Sequence, residues 1–458
     1  TIREKPVTRG MEPSRVREIL SSDMDLPEDG TEARTLLQTT GRLLFEQSLF
    51  NGHPRFWGYI TSSPTPIGIL GDFLASALNP NVGAWKLAPL ATEIELQTIR
   101  WIAQFIGYPQ SAEGLLVSGG NMANFVGFLT ARRAMAGEEV RTQGAGVRPG
   151  LRAYCSKETH TWIEKAADLF GHGTEAIRWI PVVGSGVMDV EALQRQVRRD
   201  RENGDQPFLV VGNAGTVATG AVDPIDEIAA FAREARIWFH VDGAYGGLAA
   251  RVRGAPRALG SLAEADSVAI DPHKWLYAPL EAGCILIRKA GHLEDTFSYH
   301  PSYYHLGEEG PNFFGLGMQN SRGFRALKVW LSLRQAGAAA YRRMLADDIR
   351  LAAYLYTLLS RRPDFEVFSH NLSVTTFRYV PVRAAGTPPP DPAYLDTLNQ
   401  EILGRIERGG EAFLSNAVID GKFALRMCIV NFRTTLADIE FLPELVTRLG
   451  RECDTHHS

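Results

Sequence analysis

Ser267-Val-Ala-Ile-Asp-Pro-His-Lys-Trp-Leu-Tyr277 is the stretch from which the rest of the chain can be read. A short apolar run of strand character ends in Asp-Pro, a turn signal, and sets His273 and Lys274 side by side at the mouth of its sheet. Eight lysines and forty arginines make up the 48 basic residues, so where a positive charge suffices the chain nearly always uses arginine. Lysine can lose its proton and attack a carbonyl, whereas arginine cannot, which makes Lys274 a candidate Schiff-base residue. The alternative is a surface lysine after a strand, and the flanking sequence weighs against it.

Upstream, strand and helix patterns alternate. Gly114-Leu-Leu-Val-Ser118 reads as a strand, Gly119-Gly-Asn121 as a tight turn, and Met122 to Arg132 as a helix. Arg152 to Ser156 is a strand and His160 to Phe170 a helix, and Ile177 to Val183 precedes a long polar helix from Val190 to Asn203. Phe208 to Thr216 is a buried strand, Pro224 to Arg236 a helix, and Ile237-Trp-Phe-His-Val-Asp242 a strand ending in a carboxylate. This alternation specifies an α/β fold with a mainly parallel central sheet covered by helices, whose ligands sit at the carboxyl ends of the strands. Gly119 to Asn121, His160, Thr216, Asp242 and Lys274 all fall at such ends.

Each of these features has a plainer reading alone: a Gly-rich turn can be mere geometry, and Asp242 can simply cap the turn before Gly243. Together they are the parts that hold pyridoxal 5′-phosphate. The aldehyde needs the lysine, the phosphate needs the N–H groups at a helix start, and the ring nitrogen needs an acidic partner.

The rest of the chain frames this unit. Residues 1 to 30 form a charged, proline-punctuated arm, and Thr31 starts a helical pattern that ends before Asn51. His53 to Pro66 is aromatic and irregular, suited to core lining, an interface or a pocket wall, and an amphipathic helix follows from Thr92 to about Phe105. After the strand Cys284 to Ile287, the aperiodic segment Thr296 to Gly317 reads as a mobile loop or lid rather than a core element. Helices at Gly323 to Gln335 and Ala340 to Leu359 lead into strands and helices of a smaller α+β domain. The expected organisation is 1–85, an N-terminal arm and helical segment; 86–345, a large cofactor-binding domain; and 346–458, a small C-terminal domain.

A net charge of −4 with 45% hydrophobic residues points to no nucleic-acid partner, and no apolar run reaches membrane-spanning length. Thr1-Ile-Arg-Glu-Lys has no apolar signal region, so a cytoplasmic enzyme is expected. The scattered cysteines Cys155, Cys284, Cys428 and Cys453 suggest reduced thiols rather than disulfides or a metal site.

The motifs His53-Pro-Arg-Phe, Thr92-Glu-Ile-Glu95, Thr159-His160, His240-Val-Asp-Gly-Ala-Tyr245, Asp271-Pro-His-Lys-Trp275 and Phe324-Arg-Ala-Leu-Lys328 resemble those of the group II pyridoxal-phosphate-dependent decarboxylases. That family contains aromatic-amino-acid, histidine and glutamate decarboxylases and their aldehyde-synthase relatives. The resemblance implies an aspartate-aminotransferase-like fold (fold type I) and a homodimer with the active site at the subunit interface. It implies that Lys274 forms the Schiff base, Asp242 pairs with the pyridinium, His160 stacks on the ring and Ala244 packs on its other face. Gly120 and Asn121 would bind phosphate, with Thr216 and His273 beside the cofactor. The expected reaction is decarboxylation of an L-amino acid, most simply an aromatic one, with Tyr59, Ile60 and Trp85 lining the substrate pocket.

Two departures from the family pattern follow. Phe313 occupies, by ungapped counting, the position of the loop tyrosine thought to protonate Cα. A phenylalanine there accompanies aldehyde synthesis in some relatives, although Tyr303 or Tyr304 can supply the proton instead. Asp271 stands where aromatic-acid members usually carry asparagine near the phosphate. Lys86 keeps an acidic substrate open, Asn81 and Gly83 lie where aromatic-acid enzymes tend to be bulkier, and a non-catalytic cofactor-binding homologue is the remaining alternative.

Overall fold

The computed structural model describes every residue except 1, 11, 21–24, 300–309, 385, 387 and 456–458, and the side chain of 455. Its strands in chain order are β1 (Glu113–Val117), β2 (Leu151–Ser156), β3 (Ile177–Ile180), β4 (Val182–Val183), β5 (Val187–Met188), β6 (Gln206–Asn213), β7 (Trp238–Asp242), β8 (Ser267–Ile270) and β9 (Gly283–Ile287). After these come β10 (Phe365–Asn371), β11 (Val374–Tyr379), β12 (Ser415–Ile419) and β13 (Lys422–Cys428). Two compact units result: one of Thr1–Ser63, Leu351–Ser369 and Val374–Ser458, the other of Pro64–Arg350 and His370–Ser373.

The second unit is built on a seven-stranded sheet of order β1-β9-β8-β7-β6-β2-β3. Strands β8, β7, β6, β2 and β3 pair in parallel, whereas β9 runs antiparallel to both its neighbours. Because one reversed strand separates β1 from β8, these two point the same way. The carboxyl ends of β1, β8, β7, β6, β2 and β3 therefore share one edge of the sheet. Strand burial follows from cover on both faces: β8 and β9 are buried at every residue, as expected for apolar strands under helices.

Helix boundaries follow local chemistry. The helix Val190–Glu202 starts where Asp189 Oδ1 accepts the Ala192 N–H at 2.9 Å. The helix Pro89–Ile106 ends at Gly107 with φ 81, a left-handed cap. The helix Pro66–Leu78 has no counterpart among the elements expected from sequence; it starts with Thr65 as cap and proline in its first turn. It is apolar around much of its circumference, with Ile69, Leu70, Phe73, Leu74 and Leu78 exposed, so no amphipathic stripe marks it. The two helices expected near 323–359 are one helix, Ala326–Ser360, interrupted at Gly337 with φ 74.

In the first unit, β10-β11-β13-β12 form a four-stranded sheet. Trp57, Leu355, Phe377, Leu398, Ile402, Leu425 and Leu442 belong to its core cluster. Among the described residues no helix is long and apolar enough to cross a membrane, and no group of His, Cys, Asp or Glu is arranged to hold a metal ion.

Candidate active site

The shared strand edge brings the expected residues of the second unit together. Asp242 ends β7 in register with Ala269 of β8, and a one-turn helix, Pro272–Trp275, carries Lys274 just beyond β8. Lys274 Nζ lies 3.1 Å from Asp271 Oδ2, with the Asp271 side chain only 2% exposed. The turn after β1 closes over the same carboxylate: a Cβ placed on Gly120 would lie 2.7 Å from Asp271 Oδ2 and 3.2 Å from the Ala244 Cβ. A Cβ on Gly283 would lie 2.5 Å from the Gly119 carbonyl carbon. Gly119 itself has φ 136, so the turn needs glycine for conformation at 119 and for space at 120. The helix Gly120–Ala136 starts there, aiming its unpaired N–H groups into a cradle.

Asp271 is thus a buried carboxylate facing that cradle. Among the described residues its Oδ1 has no hydrogen-bond partner. His273 Nε2 lies 3.8 Å from Oδ2, while its Nδ1 sits 2.7 Å from the Ala282 carbonyl. Burial pushes the His273 imidazole below its ordinary range, favouring the neutral ring.

Asp242 is held by donors that the sequence reading missed. Its Oδ2 accepts the Trp162 Nε1–H at 2.8 Å and the Asn124 amide at 3.2 Å, and its Oδ1 accepts the Ala244 N–H at 3.2 Å. Behind it lies a fully buried chain: Asn124 Oδ1 is 2.7 Å from His240 Nε2, His240 Nδ1 is 2.8 Å from Ser267 Oγ, and Trp238 Nε1 donates to Ser267 Oγ at 2.8 Å. The Asn124 amide is spent on Asp242, so Asn124 Oδ1 must accept, His240 Nε2 carries the proton, and the Ser267 hydroxyl donates to Nδ1. Burial pushes His240 down to about 4 and keeps it neutral. A Cβ at Gly127 would lie 2.8 Å from His240 Cε1, so the helix approaches the imidazole only because it has glycine there. The available signal was a buried asparagine on the helix beginning at Gly120, and a tryptophan two residues after His160.

His160 precedes the helix Trp162–Leu169, and its Nδ1 accepts the Trp162 backbone N–H at 3.3 Å. Burial lowers its pKa, opposed by Asp242 and assisted by Lys274, so the ring is neutral with its proton on Nε2. Thr216 is buried, and its hydroxyl serves its own turn, 3.0 Å from Thr219 Oγ1 and accepting the Ala221 N–H at 3.1 Å. Asn121 is half-buried at the second position of its helix.

The expected pocket residues fall in different units. Tyr59, in the first, is 62% exposed with φ 55, and its carbonyl accepts Arg426 Nη1 at 3.0 Å; Ile60 beside it is half-buried. Trp85, in the second, is half-buried and donates from Nε1 to Glu93 at 3.0 Å. Lys86 is exposed. Asn81 Oδ1 accepts the N–H groups of Gly83 and Arg322, at 3.0 and 3.1 Å, which makes it a structural tie.

The end of the expected loop differs from its reading as mobile. Phe313 is 1% exposed in a short 3-10 turn, Phe313–Gly315, with the Arg322 guanidinium 4.6 Å above its ring. Arg322 in turn donates to the Val82 and Leu116 carbonyls and to the buried Glu95. Aperiodic sequence hid this because the ring's partner is nine residues downstream and that arginine's carboxylate is 227 residues away. Tyr303 and Tyr304, the alternative proton donors, lie outside the described residues.

The arrangement offers a primary amine, a carboxylate held by three donors and a glycine turn at a helix start. Comparison with known proteins agrees in kind. The family described as "Pyridoxal-dependent decarboxylase conserved domain" matches residues 13–380. The aromatic-L-amino-acid decarboxylase of Bacillus atrophaeus is 35% identical, covering 98% of this chain and 92% of its own. L-2,4-diaminobutyrate decarboxylase of Rhizobium meliloti (strain 1021) is 28% identical, covering 96% and 86%. The crystal structure of Oryza sativa TDC with PLP and tryptamine superposes with a TM-score of 0.90 at 25% identity, covering 98% and 94%.

Proposed function

The chain belongs to the pyridoxal-dependent decarboxylase family and is a pyridoxal-phosphate-dependent amino-acid decarboxylase; from that premise we propose that it converts an aromatic L-amino acid to its amine and CO2, with Lys274 as the Schiff-base residue. The observation that carries the assignment of residues is the meeting of the Gly119–Gly120 turn with Asp271, the residue that holds the Lys274 amine at 3.1 Å. The residues fit the cofactor: the glycine turn brings a helix start to the same sheet edge as the Lys274 amine and the Asp242 carboxylate, and Asp271, whose charge would oppose a phosphate, is paired with Lys274 at 3.1 Å. Lys274 would hold the aldehyde carbon, the N-terminus of the helix Gly120–Ala136 the phosphate, and Asp242 the ring nitrogen.

When bound, pyridoxal phosphate supplies the electron-accepting ring that takes up the electron pair left as the bond from Cα to the carboxylate breaks. The chain's own residues prepare this. Asp271 Oδ2 pairs with the Lys274 amine at 3.1 Å and orients it, and that amine must lose a proton before it can attack. Asp242, with both oxygens fixed by Trp162, Asn124 and Ala244, holds a proton on the ring nitrogen. His160, neutral and fixed by the Trp162 N–H, offers a flat uncharged face for stacking.

The aromatic choice rests on the Bacillus atrophaeus relative, the more similar of the two compared, and on the half-buried Trp85. Lys86 is solvent-exposed and gives an acidic substrate no buried partner. Phe313 packs under Arg322 and has no proton to give, so an amine product takes its Cα proton from another residue, and the choice of amine over aldehyde rests on the decarboxylase relatives. A homodimer belongs to the same proposal. The helix Ala33–Gln47 buries none of its residues and exposes Leu36, Leu37, Leu44 and Phe45, and the helix Pro66–Leu78 exposes five large apolar side chains; such faces suit a second copy.

The test is product analysis of the cofactor-loaded protein with aromatic, acidic and diamino L-acids under air, following CO2, amine, aldehyde and peroxide together. Amine and CO2 in equal amounts, fastest from an aromatic acid, is the expected result. Aldehyde with peroxide, a faster acidic or diamino substrate, or no product from any acid would overturn the proposal.

A further inference from the structure

Away from the sheet edge, the second unit has a cavity of about 600 Å3 between the helix Pro89–Ile106 and residues 326–350 of the helix Ala326–Ser360. Its wall includes Gln97, Trp101 and Phe105 on one side and Arg334, Ala338 and Arg342 on the other. No residue assigned above to the reaction contributes to it, and the volume suits a small organic molecule.

The wall is flat, apolar and cationic at once. Trp101 stacks on Trp330 at 5.9 Å with the planes 9° apart. Arg334 lies 4.7 Å over the Trp330 ring and Arg342 5.1 Å over Phe105. Stacking occupies the face of a guanidinium and leaves its N–H edge available, and among the described residues neither arginine meets a carboxylate. Trp330 Nε1 donates to Gln97 Oε1 at 2.7 Å, which fixes that amide and leaves its two N–H groups as donors. Gly337, at φ 74, breaks the helix between the two arginines, and the small Ala338 leaves room beside them.

We infer that this cavity is a second binding site, for an aryl carboxylate without an ammonium group. The charge decides the class: the wall carries two cations and no carboxylate. An anion finds charge-assisted donors there, its ring finds the Trp101 face, and an ammonium finds repulsion without a partner. The amino acid itself and its amine product are therefore both excluded, whereas an acid of the same ring without the amino group is accepted.

The experiment titrates cofactor-loaded protein with 3-phenylpropionate and with phenethylamine by calorimetry, for the wild type, Arg334→Gln/Arg342→Gln, and Ala338→Trp, which fills the cavity and keeps both arginines. The expected result is saturable binding of 3-phenylpropionate that weakens at least tenfold in both variants, with turnover of the amino-acid substrate unchanged. Identical titration of the three proteins would overturn the inference, as would phenethylamine binding that both variants abolish. Circular dichroism of each variant establishes that loss of binding is not loss of fold.

Discussion

Asn124→Leu should loosen both the fold and the grip on the cofactor, because Asn124 is the link between Asp242 and the buried His240. The side chain is 2% exposed and donates to Asp242 Oδ2 at 3.2 Å while accepting from His240 Nε2 at 2.7 Å. Leucine is close in volume, so the change removes hydrogen bonds without opening a cavity. Losing a bond to a charged acceptor costs about 1.5–3 kcal/mol, and an unsatisfied buried N–H about 1–3 kcal/mol. The added apolar burial returns about 1–2 kcal/mol, for a net loss of about 0.5–5 kcal/mol, centred on about 3 kcal/mol. Moving the proton to Nδ1 gives little relief, because the Ser267 hydroxyl would then accept from both His240 and Trp238 and its own O–H would need a new acceptor. Guanidinium unfolding of the cofactor-free protein reads the stability. Asp242 keeps the Trp162 and Ala244 donors, so cofactor affinity, read by absorbance titration, should fall about tenfold rather than vanish. A cycle with Ser267→Ala should show coupling above about 0.5 kcal/mol. Stability within about 0.5 kcal/mol of wild type together with unchanged cofactor affinity would refute the linkage.

Four further outcomes follow from the same geometry. His240 is held neutral, with its folded value pushed to about 4 against an ordinary 6.5. Its contribution is therefore intact above about pH 6.5 and lost as pH falls towards 4, where the unfolded imidazole takes a proton that the folded one refuses. Wild type should lose about 3 kcal/mol more than His240→Gln over that window, by denaturant unfolding at each pH. Lys274→Arg keeps a cation beside Asp271 but cannot lose its proton, so thermal stability should hold while turnover and the visible absorbance of the lysine-bound cofactor disappear. In Gly120→Ala the new methyl would meet Asp271 Oδ2 at 2.7 Å, and affinity for inorganic phosphate and for the cofactor should fall at least tenfold with helix content unchanged. Arg322→Met leaves Glu95, 0% exposed, without its cation; a loss of about 3–5 kcal/mol in denaturant unfolding is expected.

What the sequence determined by itself was what depends on neighbours in the chain. Strand and helix periods are local, so the α/β alternation was legible, and with it the strand ends that carry Gly120, His160, Asp242 and Lys274. The role proposed for Lys274 rests on the sequence for the same reason, since few lysines compete with it and its motif is contiguous. Tertiary structure alone decided the rest. Nothing in Gly283–Ile287 says that this strand is inserted antiparallel between β1 and β8, because pairing direction depends on how the chain returns to the sheet. Asn124 and Trp162 meet Asp242 across 118 and 80 residues, Phe313 is buried beneath an arginine tied to Glu95, and Trp101 faces a cavity that Arg342 helps to close. Each of these is set by packing between elements far apart in sequence, where side-chain periodicity carries no information about the partner.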